Sequence, residues 1–187
     1  MKPLDRFFQR LRFQAIRPYV RPGVRLLDIG CGDGALFAYL QPQVREGLGL
    51  DPFLDRVVER GSYRLIPGAF PEGVPAGAGP FDVVTMLAML EHVPADAQAG
   101  LARACAALLA PGGLLLITVP SPVVDHILHA LRHLPFLYEG KSLEQHHGFD
   151  VSATPAIFSS LTLVRASTFE FGLNHLFIFR KPGVLGE

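Results

Sequence analysis

Glycines alternate at Gly30-x-Gly32-x-Gly34, with Asp28 just ahead of them and Asp33 among them. Glycine suits a place where the backbone must turn sharply and let a ligand come close. A strand-like run, Val24–Ile29, precedes this loop, and a helix-like run, Ala35–Leu40, follows it. That context puts the loop at the carboxyl end of a first parallel strand, where open α/β sheets take their ligands. The spacing is not G-x-G-x-x-G, because position 35 is Ala35 and the third glycine arrives one residue early. The two aspartates disfavour a pyrophosphate here and suit a cationic ligand. A second strand-like run, Gly47–Leu50, ends at Asp51. An acid about 20 residues beyond such a loop can accept both hydrogens of a ribose diol. The lesser alternative is that Asp51 caps a helix ahead of Pro52.

The histidines are the other residues able to do chemistry. His92 follows the fourth strand within Glu91-His92. It is a candidate general base, or a helix-start residue that packs beside the ligand. His126, His129 and His133 share one face of a helix predicted over Ser121–His133. With His146 and His147 they make five of the seven histidines. That cluster reads in three ways: a lid over an acceptor pocket with His147 or His146 as base, a metal site, or the wet face of a surface helix. No cysteine lies nearby and i, i+3 spacing rarely supplies three ligands, so no metal is expected.

The elements that position these groups alternate between strand and helix. Leu4–Arg17 carries Leu4, Phe7, Phe8, Leu11 and Ala15 at helical spacing, so residues 1–20 form an N-terminal helix that ends near Pro18. Leu54–Arg60 is predicted as a helix and Tyr63–Ile66 as a third strand. Residues 67–80 are rich in Pro, Gly and Ala and read as loop. Phe81–Met86 is a fourth strand. Ala95–Leu109 is a helix closed by Pro111-Gly112-Gly113, and Leu114–Val119 is a fifth strand. Val151–Ser160 is a short helix capped by Asp150 or Ser152. Leu161–Phe171 and His175–Arg180 read as an antiparallel pair. This alternation means a parallel sheet covered on both faces.

Composition excludes several classes. The chain has 187 residues, 49% of them apolar and 18% charged, which suits one folded domain over 1–187. Lys+Arg and Asp+Glu number 17 each, so no global field draws it to nucleic acid or anionic membranes. Arg6, Arg10, Arg12, Arg17, Arg21 and Arg25 concentrate basic charge near the start and read as a solvated helix face. No apolar run is long enough to span a bilayer, and Phe7-Phe8 is followed at once by charge rather than by a signal-peptide core. The expectation is a cytoplasmic protein, monomer or homodimer, with no membrane partner. Cys31 and Cys105 have no zinc or disulfide spacing.

Four motifs in order now carry a family resemblance. Leu26-Leu27-Asp28-Ile29-Gly30-Cys31-Gly32-Asp33-Gly34 resembles the first motif of class I S-adenosylmethionine-dependent methyltransferases, and Gly47-Leu48-Gly49-Leu50-Asp51-Pro52 their acidic motif. Phe81-Asp82-Val83-Val84 with Leu90-Glu91-His92-Val93 is similar to the fourth-strand motif of the small, free-standing, type 11-like members. Leu108 to Leu114 resembles the turn before their fifth strand. The resemblance implies a doubly wound, Rossmann-like α/β sheet of seven strands, order 3-2-1-4-5-7-6, with strand 7 antiparallel. It implies that S-adenosylmethionine lies against Asp28, Gly30, Cys31, Gly32 and Gly34, with Asp51 on the ribose and Pro52 and Phe53 beside the adenine. Met86, Leu87 and His92 would pack near the ligand. Where the family often carries an Asp after strand 3, this chain has Gly68-Ala69-Phe70, so backbone at Ala69 and Phe70 would meet the adenine, or Glu72 would substitute. Methyl transfer to a small-molecule acceptor is the implied activity. Residues 120–150 would form the acceptor-site lid, with Pro135-Phe136-Leu137-Tyr138 and the N-terminal Phe7, Phe8, Phe13 and Tyr19 either walling an apolar acceptor pocket or packing as core between lid and sheet. Two alternatives stand beside it: a non-catalytic protein that binds the adenosyl ligand, and a nicotinamide-binding Rossmann oxidoreductase.

Overall fold

The computed structural model describes residues 3–121 and 149–183, with side chains from residue 6 onward. The strands are β1 (Val24–Ile29), β2 (Val44–Asp51), β3 (Val58–Arg60), β4 (Tyr63–Pro67), β5 (Phe81–Leu87), β6 (Leu109–Pro120), β7 (Thr162–Phe169) and β8 (Asn174–Arg180). The helices are α1 (Pro3–Ile16), α2 (Ala35–Leu40), α3 (Ala95–Leu108) and α4 (Thr154–Ile157). The strands form one sheet in the order β3-β4-β2-β1-β5-β6-β8-β7. β4, β2, β1, β5 and β6 run parallel, and β8 is antiparallel to both β6 and β7.

The expected seven-strand order is therefore present with an eighth strand added at one edge. That strand corrects the helix predicted over Leu54–Arg60. Arg60 pairs with Tyr63 across the Gly61-Ser62 turn, and Gly61 has φ +57°. A two-residue turn with a left-handed glycine closes a hairpin, so Val58–Arg60 is drawn into the sheet. A second correction concerns Pro111-Gly112-Gly113. The helix ends earlier, with Leu109 already extended and its amide donating to Cys105 O. The Pro-Gly-Gly run is a bulge within β6: the register jumps from Phe81 opposite Leu109 to Val83 opposite Leu114. Gly112, at φ +77°, donates its amide to Lys181 O at 3.0 Å.

Strand side chains alternate between two cores, one on each face. Leu26, Val83, Leu116, Leu176 and Ile178 join Phe13 and Ile16 of α1 and Leu36, Phe37 and Leu40 of α2. Leu27, Val84, Leu115, Ile117, Phe177 and Phe179 join Leu101, Ala102 and Cys105 of α3 and Phe158 beyond α4. Phe37 stacks on Tyr63 with ring centroids 4.9 Å apart, directly over Gly47. A Cβ on Gly47 would fall 2.5 Å from the Phe37 ring. Asp150 caps the following turn, its Oδ1 accepting from the Ser152 amide at 2.9 Å. No helix among the described residues is long and apolar enough to cross a membrane.

Candidate active site

β1 and β5 are neighbours, while the chain passes from β1 to β2 on the other side. Strand order therefore reverses beside β1, and the carboxyl ends of β1, β2 and β5 converge there. Such a switch point is where open α/β sheets hold ligands. The glycine loop leaves β1 there. Its path is set by backbone: the amides of Gly30 and Cys31 both donate to Leu50 O, at 2.9 and 3.1 Å. Gly30, Gly32 and Gly34 have φ of +77°, +53° and +80°. These left-handed angles cost a side-chain-bearing residue about 1–2 kcal/mol each. Asp33 Oδ1 accepts from the amide of Ala35, the first residue of α2, at 3.2 Å.

Asp51 ends β2 and turns back to the loop. Its Oδ2 accepts the Gly32 amide at 2.9 Å and its Oδ1 the Phe53 amide at 2.9 Å. Each carboxylate oxygen keeps a further lone pair. The turn at Pro52 is no helix start, so the helix-cap reading of Asp51 gives way to this two-amide clasp. Phe53 is 90% exposed, an aromatic ring standing clear beside the acid. The Gly68 amide donates to Asp51 O at 3.2 Å, which brings exposed Ala69 and half-buried Phe70 to the same edge.

Asp28 lies below the loop and is buried. Its Oδ1 accepts the Thr85 hydroxyl at 2.7 Å. Burial pushes the Asp28 carboxyl up to about 7, the Thr85 hydrogen bond opposes this, and the Asp51 charge adds to it. Cys31 is buried against the same acids. Burial first, then Asp28 and Asp51, push its thiol up, so it is no thiolate nucleophile near neutral pH. Cys105 is pushed up to about 12 by burial in the α3 face of the core.

The remaining predicted residues separate. Met86 is fully buried in the α3-side core, whereas Leu87 is half-buried on the opposite face. His92 is half-buried in a 3-10 turn, its amide donating to Met89 O at 3.0 Å. His146 and His147 lie outside the described residues, as do His126, His129, His133, Pro135–Tyr138 and most of the 120–150 stretch. Among the described residues, no three of His, Cys, Asp or Glu gather as metal ligands.

Three residues escaped the sequence reading. Thr85 holds Asp28, and its signal is a polar residue inside the apolar run Val83-Val84-Thr85-Met86. Met89 covers the loop: a Cβ on Gly30 would sit 3.2 Å from Met89 Cγ. Ala88 adopts φ +52°, and its amide donates to Thr118 O at 2.9 Å. That strained turn swings Met89 over Gly30, and nothing in the sequence around Ala88 announces it.

A family model described as a methyltransferase domain matches residues 2–166. The ubiquinone biosynthesis O-methyltransferase of Xanthomonas campestris pv. campestris (strain B100) is 40% identical over 120 residues, covering 58% of this chain and 48% of that protein. The protein of the same name in Methylococcus capsulatus is 29% identical over 206 residues, covering 94% of this chain and 85% of the relative. The chain thus spans about half the length of the first of these relatives. The 1,6-didemethyltoxoflavin-N1-methyltransferase of Burkholderia thailandensis, solved with 1,6-didemethyltoxoflavin and S-adenosylhomocysteine, superposes with a TM-score of 0.66. It is 20% identical, and the match covers 92% of this chain and 77% of that one. That likeness is one of fold. The loop geometry and the family match together set aside the nicotinamide-binding alternative: the chain belongs to the class I S-adenosylmethionine-dependent methyltransferase family.

Proposed function

We propose that this protein transfers the methyl group of S-adenosylmethionine to a small-molecule acceptor by in-line displacement. The observation that carries this reading is the junction of Asp51 with the glycine loop, where one carboxylate holds the Gly32 amide and keeps acceptor capacity on both oxygens. The residues present fit the adenosyl donor. The space above Gly32 is open, with no atom within 4 Å of a Cβ built there. Asp28, Asp33 and Asp51 surround the loop with acid, which favours a cation and opposes a pyrophosphate. When bound, S-adenosylmethionine supplies a methyl group on a positive sulfonium, whose departure leaves a neutral thioether.

The chain's own residues align the reactants. Asp51 accepts from the ribose hydroxyls, and backbone at Gly30, Cys31 and Gly32 lines the donor. Pro52 and Phe53 flank the adenine, with Ala69 and Phe70 at its far edge. Alignment alone can supply much of the rate, because the leaving group needs no proton. A base matters only for an acceptor that carries a proton and is poorly nucleophilic. Of the three candidate bases, His92 is the one among the described residues. The similarity to O-methyltransferases favours oxygen as the accepting atom. Balanced charge, 17 against 17, favours a small acceptor over nucleic acid, with the protein acting in the cytoplasm as a monomer or homodimer.

The test is formation of S-adenosylhomocysteine from S-adenosylmethionine in the presence of a panel of phenols, catechols and amines. Acceptor-dependent product supports the reading. Tight donor binding with no product from any acceptor would instead favour a non-catalytic adenosyl-binding protein.

A further inference from the structure

Thr85 is fully buried on β5, directly beside Asp28 of β1 in the parallel register. Its single hydroxyl has two acceptors in reach: Asp28 Oδ1 at 2.7 Å and Leu27 O at 3.3 Å. A hydroxyl can donate one proton and accept another. With Asp28 charged, Thr85 donates to the carboxylate. With Asp28 protonated, the carboxyl donates to Thr85, which turns its own proton to the Leu27 carbonyl. Both protonation states of a buried acid are then hydrogen-bonded, so neither leaves an unsatisfied polar group in the core.

Among the groups around Asp28, Asp51 of β2 raises its proton affinity. Cys31 in the loop responds to the charges of Asp28, Asp51 and Asp33, and its own thiol stays protonated. β5 contributes the neutral Thr85. The described surroundings of Asp28 are therefore acidic and dry, and a cation arriving at the loop changes them most.

We infer that Thr85 is a positioning residue whose hydroxyl switches between Asp28 and the Leu27 carbonyl, so that Asp28 holds a proton in the free protein and releases it when a cationic donor binds. The O–H bond of the Asp28 carboxyl breaks, the proton passes to buffer, and no electrons are exchanged. This inference rests on the adenosyl-donor reading above and adds to it a proton linkage and a residue outside the glycine loop.

The experiment is calorimetric titration of S-adenosylmethionine in buffers of different ionisation enthalpy, from pH 6 to 9, on the wild type, Asp28→Asn, Thr85→Val and Thr85→Ser. The difference between wild type and Asp28→Asn isolates the Asp28 proton from any proton the ligand itself carries. That difference should be near one proton at pH 6, about half at pH 7 and close to none at pH 9. Thr85→Val removes the donor that favours the charged carboxylate, so the release should move up by about one pH unit. Affinity should then fall roughly fivefold at pH 7 and less than twofold at pH 9, and Thr85→Ser should restore the wild-type profile. Normal binding with identical proton release in wild type and Asp28→Asn overturns the inference. So does a Thr85→Val loss of the same size at every pH, which is what a packing role alone would give. Failure of every variant and the wild type to bind S-adenosylmethionine sinks the donor reading itself.

Discussion

Asp51 Oδ2 accepts the Gly32 amide at 2.9 Å, so the acid that ends β2 and the loop that ends β1 are one unit. They are 19 residues apart in the chain and meet because β1 and β2 pair in parallel, with Ile29 opposite Leu50. A ligand that engages Asp51 therefore also feels the position of the loop.

Replacing Asp51 by Ala should weaken S-adenosylhomocysteine binding by about 1.5–3 kcal/mol, the range for hydrogen bonds to a charged group. It should also free the Gly32 and Phe53 amides, which then exchange hydrogen faster in the ligand-free protein. Titration calorimetry and amide exchange read the two effects. Unchanged affinity would remove Asp51 from the donor site, whatever happens to the amides.

Gly34→Ala tests the loop's packing separately from its chemistry. Gly34 has φ +80°, and a Cβ there would lie 2.8 Å from Leu65 Cδ1. Backbone strain of about 1–2 kcal/mol and overpacking of about 1–3 kcal/mol both apply. Gly77, with φ +76° and nothing within 4 Å of its Cβ, carries the strain alone. Denaturant unfolding should place Gly34→Ala about 2–5 kcal/mol below wild type and Gly77→Ala about 1–2 kcal/mol below. Equal losses for the two would contradict the contact with Leu65.

Asp28 should make the ligand-free protein less stable as pH rises. Its carboxyl is pushed up to about 7 in the folded chain from an ordinary 3.8, mainly by burial. The folded state thus binds the proton more tightly than the unfolded state. This contribution is fully present below the ordinary value and is lost as pH climbs to about 7. Asp28→Asn removes that loss. The variant should lie close to wild type near pH 4 and exceed it by roughly 4 kcal/mol at pH 8, while binding the cationic donor less well. Thermal unfolding at the two pH values checks this, and an Asn variant that is equally destabilised at both would contradict it.

Much of this architecture is legible in the chain itself. The apolar run Val24–Ile29 ahead of three alternating glycines marks β1 and its loop, and Asp51 marks the end of β2. What escaped is non-local or depends on backbone angles. Val58-Glu59-Arg60 has too few residues to declare a strand; the Gly61-Ser62 turn and pairing with β4 make it one. Pro111-Gly112-Gly113 looks like a helix stop, yet the pairing of Gly112 and Gly113 with Lys181 absorbs it into β6. Thr85 acquires meaning only when strand pairing sets it against Asp28, 57 residues earlier. Met89 reaches Gly30 only because Ala88 takes a left-handed conformation.

The central claim is that the glycine loop with Asp28, Asp33 and Asp51 selects a cationic adenosyl donor. The most direct measurement is calorimetric titration of the wild-type protein at neutral pH with S-adenosylmethionine, S-adenosylhomocysteine and NAD. Saturable one-to-one binding of both adenosyl ligands, with no heat from NAD, is the predicted result. Binding of NAD with no response to either adenosyl ligand would contradict it.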